Sequence, residues 1–149
     1  YKIRLDKNKF KQVLRNLLNN AFDFSDKGGK VEIKFIHING RIQLSIVDEG
    51  VGIPKDELIS VFDKFGKSSN PRSLAGGAGL GLFISNMIIT GHGGKIWAEH
   101  NPNGGTVINL EIPIEQKKKR KLIGQMLIEK GYITKEQLEA ELKQQEEED

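Results

Sequence analysis

The sequence lacks several features that would place it in a specialised class. It has no cysteine, which excludes disulfides and fits a reducing compartment. It has no secretory signal and no apolar segment long enough to span a bilayer, so we expect a cytoplasmic location and no membrane contact from this segment. The net charge of +3 is too small to indicate nucleic-acid binding. The chain also opens without methionine on a strand-like segment, so we expect a fragment of a longer protein.

Glycine, by contrast, is abundant, and its densest cluster runs from Gly76 to Gly81. Apolar residues recur at three- and four-residue steps from Leu80 to Ile88, which predicts a helix that begins inside the cluster. The unpaired N–H groups at a helix start carry partial positive charge and can bind phosphate. A mobile loop in front of an ordinary helix explains the cluster equally well.

A second helix is predicted after Asp6, whose side chain can cap it, because an apolar stripe at helical spacing follows. Asn16 and Asn20 lie four residues apart, and therefore on one face beside that stripe. Asparagine is a mediocre helix former, so its presence in mid-helix needs a reason. One reason is an amide oxygen held out to a hard cation such as Mg²⁺. The other is a solvated helix face.

A β-hairpin is predicted around Asn39-Gly40, a pair typical of type I′ turns. Pairing outward from this turn places apolar residues opposite one another on one face. The predicted pairs are His37 with Ile42, Phe35 with Leu44 and Ile33 with Ile46. We interpret His37 as a packed histidine, and His92 and His100, in or beside turns, as structural or solvated. Residues 55–65 predict a short helix, and 95–99 and 106–112 predict the last two strands.

The second hairpin strand ends at Asp48, which is followed by Gly50 and Gly52. This segment is either a simple turn or a binding site. In the second interpretation Asp48 accepts a hydrogen bond from a ligand amino group, and the glycines leave room for a flat ring. An acceptor for an exocyclic amine favours adenine over guanine, which carries a carbonyl at that position.

Five elements stand in one order along the chain, and together they carry a family resemblance. They are Asn16-x3-Asn20, Asp48-x-Gly50-x-Gly52, Phe62-x2-Phe65, Gly77-x-Gly79-x-Gly81 and Gly104-Gly105-Thr106. The set resembles the N, G1, F and G2 boxes and the final Gly-Thr element of the sensor histidine kinase catalytic domain, over about residues 3 to 114. That domain belongs to the ATP-binding superfamily shared with gyrase, Hsp90 and MutL. The resemblance implies an α+β fold, a two-layer α/β sandwich (the Bergerat ATP-binding fold) with helices on one face of a mixed sheet.

The resemblance also implies ATP and Mg²⁺ as cofactors and assigns roles by position. Asn20 would bind Mg²⁺, with Asn16 supporting it. Asp48 would accept from the adenine amino group, directly and through a water shared with Thr106, and Lys67 would reach the γ-phosphate. The other expected contacts are Phe24, Gly50, Gly52 and Ile53 around the base and Gly77, Gly79, Leu80, Gly81 and Leu82 around the phosphates.

The implied activity is transfer of the γ-phosphoryl group to a histidine on a separate dimerisation domain, for relay to the receiver domain of a response regulator. In the gyrase branch a glutamate at the position of Asn16 activates water, whereas an amide cannot remove a proton at neutral pH. None of the three histidines lies in a dimerisation segment, so we expect the chain alone not to phosphorylate itself. Asp23 stands where the family often has lysine or arginine. It motivates an alternative: a nucleotide-sensing interaction module without productive transfer.

We expect two parts, a catalytic and ATP-binding domain over 1–115 and a tail over 116–149. The tail opens with a basic linker, residues 116–121, followed by a helix over 122–130 that Gly131 stops. Thr134 and Gln137 form a capping box that opens a second helix. The acidic end, residues 146–149, is expected to be disordered.

Overall fold

The computed structural model describes residues 3–66, 79–114 and 125–147. The chain divides into two compact units, Tyr1–Glu115 and Gln116–Asp149. In the first unit the elements are helix α1 (Lys7–Phe24), strands β1 (Val31–Ile38) and β2 (Arg41–Asp48), two 3-10 turns (Lys55–Glu57 and Ser60–Phe62), helix α2 (Gly81–Gly91), and strands β3 (Lys95–His100) and β4 (Thr106–Pro113). No helix in these described ranges is both long enough and apolar enough to cross a membrane.

The described strands form a four-stranded sheet in the order β1-β2-β4-β3, which confirms the predicted α+β class. Each neighbouring pair is antiparallel, so the expectation of a mixed sheet does not hold for these strands. Short turns join β1 to β2 and β3 to β4, and such connections suit antiparallel neighbours. Residues 3–5, within the strand-like segment that opens the chain, have no regular structure.

The hairpin has the predicted register. His37 lies opposite Ile42, Phe35 opposite Leu44 and Ile33 opposite Ile46. Asn39 and Gly40 have φ values of 50° and 71°, the positive pair that a type I′ turn requires. The interpretation of His37 as packed is wrong, because its side chain is exposed. β1 is an edge strand of the described sheet, and the helices cover the neighbouring strands instead.

The core lies between one face of the sheet and the two helices. The pattern of residues three and four apart places Val13, Leu17 and Ala21 of α1 on the buried face, as the sequence predicts. α2 contributes Ser85 and Ile89. The sheet contributes buried apolar side chains from three strands: Leu44, Ile46, Ile96, Ile108, Leu110 and Ile112. In this arrangement α1 packs against β2, and α2 packs against β3 and β4.

A hydrogen-bonded link joins the start of α1 to the end of α2. Asp6 caps α1, and its Oδ1 accepts from the backbone N–H groups of Asn8 and Lys9, both at 3.0 Å. The backbone N–H of Asp6 donates to His92 Nε2 at 3.0 Å, while Nδ1 of the same ring lies 2.7 Å from the carbonyl oxygen of Ile88. His92 is therefore structural, as expected.

The segment 55–65 is not the helix that its apolar spacing predicts. Its hydrogen bonds are of the three-residue type, such as Glu57 N–H to the Pro54 carbonyl at 2.9 Å and Asp63 N–H to the Ser60 carbonyl at 3.0 Å. The apolar residues of the segment, Leu58, Ile59, Phe62 and Phe65, do not share one face, because Phe62 is buried whereas Ile59 is 86% exposed. Phe65 has a φ of 61°, which a helix cannot accommodate.

The second unit contains a helical turn and a longer helix. Residues 125–129 are helical, and Gly131, with a φ of 71°, ends that turn as predicted. The capping box is also confirmed: Thr134 Oγ1 accepts from Gln137 N–H at 3.2 Å and Gln137 Oε1 accepts from Thr134 N–H at 2.8 Å. The helix it opens, Lys135–Glu147, extends into the acidic end that was expected to be disordered. The predicted linker lies outside the described residues.

Candidate functional site

The site is built around Asp48, the last residue of β2. Its side chain is 5% exposed although it carries an ionisable group. The Oδ1 atom accepts from the backbone N–H of Gly50 at 3.0 Å and from that of Thr106 at 3.2 Å. No hydrogen bond to Oδ2 is formed within the described ranges. Because one oxygen is fixed and the other is unused, the carboxylate is oriented and can accept from a ligand donor.

The electrostatics of Asp48 follow from its burial. Loss of hydration raises the pKa of the Asp48 carboxyl group, and the hydrogen bonds from Gly50 and Thr106 act in the opposite direction. No cluster of three or more acidic, histidine or cysteine side chains suited to a metal occurs among the described residues.

Gly50 and Gly52 follow Asp48, and close approach to other backbone explains the first, whereas a positive φ explains the second. A Cβ on Gly50 would lie 2.1 Å from the carbonyl oxygen of Phe24, at the end of α1. The neighbouring N–H of Val51 donates to that carbonyl at 3.3 Å. Gly52 has a φ of 74° and lies against the backbone of Gly105. The loop after β2 is thus packed between the end of α1 and the β3–β4 turn.

The β3–β4 turn contains two residues that the sequence-derived site omits, Asn101 and Gly105. The side-chain Nδ2 of Asn101 donates to the main-chain oxygen of Asp48 at 2.9 Å. A Cβ on Gly105, which has a φ of 90°, would lie 2.2 Å from the same oxygen. The Asn-Pro-Asn-Gly-Gly composition identifies a turn, but not its contact with a strand end more than fifty residues earlier.

The second part of the site is the start of α2, at Gly81, inside the glycine cluster as predicted. Leu80 occupies the N-cap position and supplies no capping side chain. The first N–H groups of the helix therefore have no N-cap side chain to donate to. Gly79, with a φ of 70°, leads the chain into this position.

Asn16 connects α1 to the start of α2. Its Nδ2 donates to the carbonyl oxygen of Gly81 at 3.3 Å and lies 3.5 Å from Ser85 Oγ. Ser85, which is fully buried, donates to the same carbonyl at 2.8 Å. With Nδ2 engaged, the orientation of the amide is set, and Oδ1 has no hydrogen-bond partner in the part of the chain that the structure describes.

The remaining predicted residues divide into three groups. Thr106, buried in β4, joins Asp48 through its N–H. Asn20, Phe24, Ile53 and Leu82 are partly buried, and Ile53 and Leu82 also pack against the core. Lys67 and Gly77 lie outside the described residues. The structure thus joins Asp48, Gly50, Gly52 and Thr106 into one cluster and Asn16 with Gly81 into another, and α1 connects the two.

Known proteins resemble this chain in sequence and in architecture. The profile of the family described as histidine kinase-, DNA gyrase B- and HSP90-like ATPase matches residues 5–116. The chain is 38% identical over 118 residues to the sensor histidine kinase WalK of Bacillus subtilis (strain 168), a match that covers 76% of this chain and 19% of WalK. The chain spans less than a third of the length of the curated relatives it matches.

Solved structures give the same result. The mycobacterial sensor histidine kinase MprB superposes with a TM-score of 0.67 at 33% identity, over 74% of each chain. Full-length ShkA in complex with AMPPNP superposes with a TM-score of 0.62 at 28% identity, over 72% of this chain and 22% of ShkA. In each of these comparisons the similarity covers about three quarters of this chain, and the family profile matches residues 5–116.

Proposed function

Because this chain belongs to the histidine kinase-, DNA gyrase B- and HSP90-like ATPase family, we propose that it contains the catalytic, ATP-binding domain of a sensor histidine kinase. In this proposal the domain transfers the γ-phosphoryl group of ATP to a histidine on a separate dimerisation domain. The phosphoryl group then passes to the receiver domain of a response regulator. The observation that carries the proposal is the buried carboxylate of Asp48, fixed through Oδ1 and open at Oδ2.

Adenine recognition follows from the chemistry of that carboxylate. An ionised carboxylate is an acceptor, so Oδ2 suits the 6-amino group of adenine and repels the 6-carbonyl group of guanine. The Thr106 hydroxyl is the expected partner for a shared water. Phe24 and Ile53, both partly buried, are the expected apolar contacts of the base. The complex of the relative ShkA with AMPPNP supports an adenine nucleotide as ligand.

Phosphate and metal binding belong to the other cluster. The N–H groups from Gly79 to Leu82 are the expected donors to phosphate oxygens, because Leu80 provides no cap. Mg²⁺ prefers oxygen ligands and keeps several waters, so the amide oxygen of Asn20 with substrate phosphates is a suitable donor set. When bound, the metal neutralises charge on the phosphates. Asn16, held by Gly81, supports Asn20 one helical turn away, and Lys67 is the expected contact of the γ-phosphate.

The side chains available favour phosphoryl transfer over hydrolysis. Asn16 is an amide and cannot act as a general base for water at neutral pH. Phosphoryl transfer, in contrast, requires mainly positioning and charge neutralisation. None of the three histidines lies in a two-helix dimerisation segment, since His37 and His100 lie on strands of the sheet and both ring nitrogens of His92, at the end of α2, contact backbone groups. The acceptor histidine is therefore expected on another domain.

Two measurements test the proposal. Calorimetric titration of the full chain with ATP and Mg²⁺ should show binding, and a well-folded chain that ignores both ATP and ADP at millimolar concentration would contradict it. Incubation with γ-labelled ATP should label a separately produced dimerisation domain, but not this chain alone. Nucleotide binding without any phosphohistidine on the dimerisation domain would instead favour a nucleotide-sensing module, the alternative that Asp23 motivates. Asp23 is exposed on α1, three residues after Asn20.

A further inference from the structure

Asn101 is a buried polar residue at the start of a turn whose central residues are exposed. It follows β3 directly and is 9% exposed, whereas its neighbours Pro102, Asn103 and Gly104 are exposed. Buried amides occur where they satisfy specific hydrogen bonds. The bonds of this one connect the turn to Asp48.

Each polar group of Asn101 has a hydrogen-bond partner. Its Oδ1 accepts from the N–H of Asn103 at 3.1 Å, which closes an Asx turn. Its carbonyl oxygen accepts from the N–H of Gly104 at 2.9 Å, and its own N–H donates to the carbonyl of Gly105 at 3.1 Å. Its Nδ2 donates to the main-chain oxygen of Asp48 at 2.9 Å, and this bond, unlike the other three, connects the turn to β2.

The bond to Asp48 occurs at the point where β2 is no longer paired with β4. The β2–β4 ladder ends at the pair Val47 and Val107, so Asp48 lies one residue beyond it. Asn101 supplies a donor to Asp48 at this point, and Thr106 and Gly50 supply donors to its carboxylate. The main chain and the side chain of Asp48 are therefore fixed by separate groups.

We propose that Asn101 is a positioning residue for adenine recognition, because its amide fixes the main chain of Asp48 and so sets where the open carboxylate oxygen meets the 6-amino group. The inference rests on the proposed function, since it assumes that Asp48 binds the base. Small misplacements of a polar group weaken the interaction it makes, so loss of the Asn101 donor should reduce base selectivity. A neutral amide provides this support without placing a second negative charge beside Asp48.

Two nucleotides and three variants of the full chain test the proposal. ATP and inosine triphosphate differ in the group at position 6 of the purine, an amine in the first and a carbonyl in the second. Asn101→Asp keeps an acceptor for Asn103 but replaces the donor to Asp48, and Asn101→Ala removes both. Asn103→Ala is the matched control, because the main-chain N–H that bonds to Asn101 is retained.

We expect both Asn101 variants to bind ATP about tenfold more weakly, as loss of roughly one hydrogen bond predicts, with binding of inosine triphosphate changed less than about twofold. The control should match the wild-type chain for both ligands. Equal weakening of both ligands, or unchanged selectivity in folded Asn101→Asp, would overturn the proposal. Thermal unfolding of each variant identifies the folded fraction. Failure of the wild-type chain to bind either nucleotide would contradict the proposed function instead.

Discussion

Burial of the ionised Asp48 carboxylate is expected to lower the stability of the fold, although the same carboxylate is the proposed acceptor for ATP. Burial raises the pKa of its carboxyl group, so the folded chain binds a proton more readily than the unfolded chain does. Without ligand, stability should therefore rise as pH falls through the raised pKa toward the ordinary aspartate value. ATP binding should follow the opposite trend, because the protonated carboxyl group is a poorer acceptor for an amine.

Replacement of Asp48 by asparagine should separate these two effects. The amide oxygen of the new side chain can still accept the N–H groups of Gly50 and Thr106, but its amide nitrogen would present a donor to the adenine amine. We expect ATP affinity to fall by at least about tenfold, in line with loss of a hydrogen bond to a charged group. Calorimetry across pH measures the binding, and thermal unfolding of the ligand-free chain measures the stability.

The outcome for stability provides the control. The Asp48→Asn chain should be at least as stable as wild type at neutral pH and should lose the rise on acidification that Asp48 causes. An unchanged ATP dissociation constant, or an ATP affinity that strengthens as pH falls, would contradict the assigned role.

Asp23 gives a second prediction for a single residue. It is exposed on α1 and would add negative charge near a triphosphate bound at Asn20. We expect Asp23→Lys to tighten ATP binding several-fold, because an exposed charge pair contributes roughly up to 1 kcal/mol. Glu32→Lys makes the same charge change on the sheet face opposite the helices and is the control. It also breaks the exposed ion pairs of Glu32 with Lys30 and Lys34, so thermal unfolding has to show that this variant remains folded. A dissociation constant for ATP that Asp23→Lys leaves unchanged in calorimetry would argue against Asp23 facing the phosphates.

Gly50 gives a third prediction for a single residue, which concerns its packing against the backbone of Phe24. Alanine there would place a Cβ 2.1 Å from the Phe24 carbonyl oxygen, a backbone atom that cannot move aside as the end of a flexible side chain can. We expect Gly50→Ala to lower the free energy of unfolding by about 3 kcal/mol, the upper part of the range for overpacking. Gly91→Ala is the control, since no atom lies within 4 Å of the added Cβ, and it should be neutral or stabilising by up to about 1 kcal/mol. Equal effects in denaturant titrations would exclude this steric explanation.

At the scale of whole elements, Asp6 both caps α1 and links its start to the end of α2. The hydrogen bond from Lys9 N–H, with that from Asn8 N–H, lowers the pKa of the exposed Asp6 carboxyl group. A lowered pKa means that the cap stabilises the fold above the ordinary aspartate pKa. This contribution is lost as pH falls through the lowered value.

Asp6→Ala should therefore lower the melting temperature by about 4 °C at neutral pH, the effect of one lost cap in a small domain. Asp6→Asn retains a capping acceptor and is the matched control, expected to stay near wild type. The difference between wild type and Asp6→Ala should shrink in strong acid, whereas that between Asp6→Asn and Asp6→Ala should persist. Thermal scans at several pH values would reject this account if all three chains melted together.

The elements that sequence predicts best are those fixed by local rules. Asn39-Gly40 sets the turn type and hence the register of the hairpin, and the stripe that includes Val13 and Leu17 sets α1. The 3-10 turns after Pro54 could not be predicted from apolar spacing, because tertiary contacts bury Phe62 and leave Ile59 exposed. Likewise, the reason for Gly50 and the role of Asn101 depend on residues far away in the chain, which no local pattern contains.

At the scale of the whole molecule, the division into two units leads to a prediction about the tail. Every residue assigned to the proposed site belongs to the first unit, Tyr1–Glu115. A chain truncated after Glu115 should therefore bind ATP within about twofold of the full chain. Calorimetry of both chains under the same conditions makes the comparison. A larger loss of affinity would show that the tail contributes to the nucleotide site.

Asn16, Asn20 and Phe24 follow one another along α1 at intervals of four residues, each about 6 Å along the axis. The distance from the expected metal ligand to the end of the helix beside Gly50 is thus set by helical geometry. Rearrangement of loops cannot shorten it unless α1 unwinds. A nucleotide bound in the proposed way must therefore fit a fixed span of about 6 Å along α1, between the expected base contact at Phe24 and the expected metal ligand at Asn20.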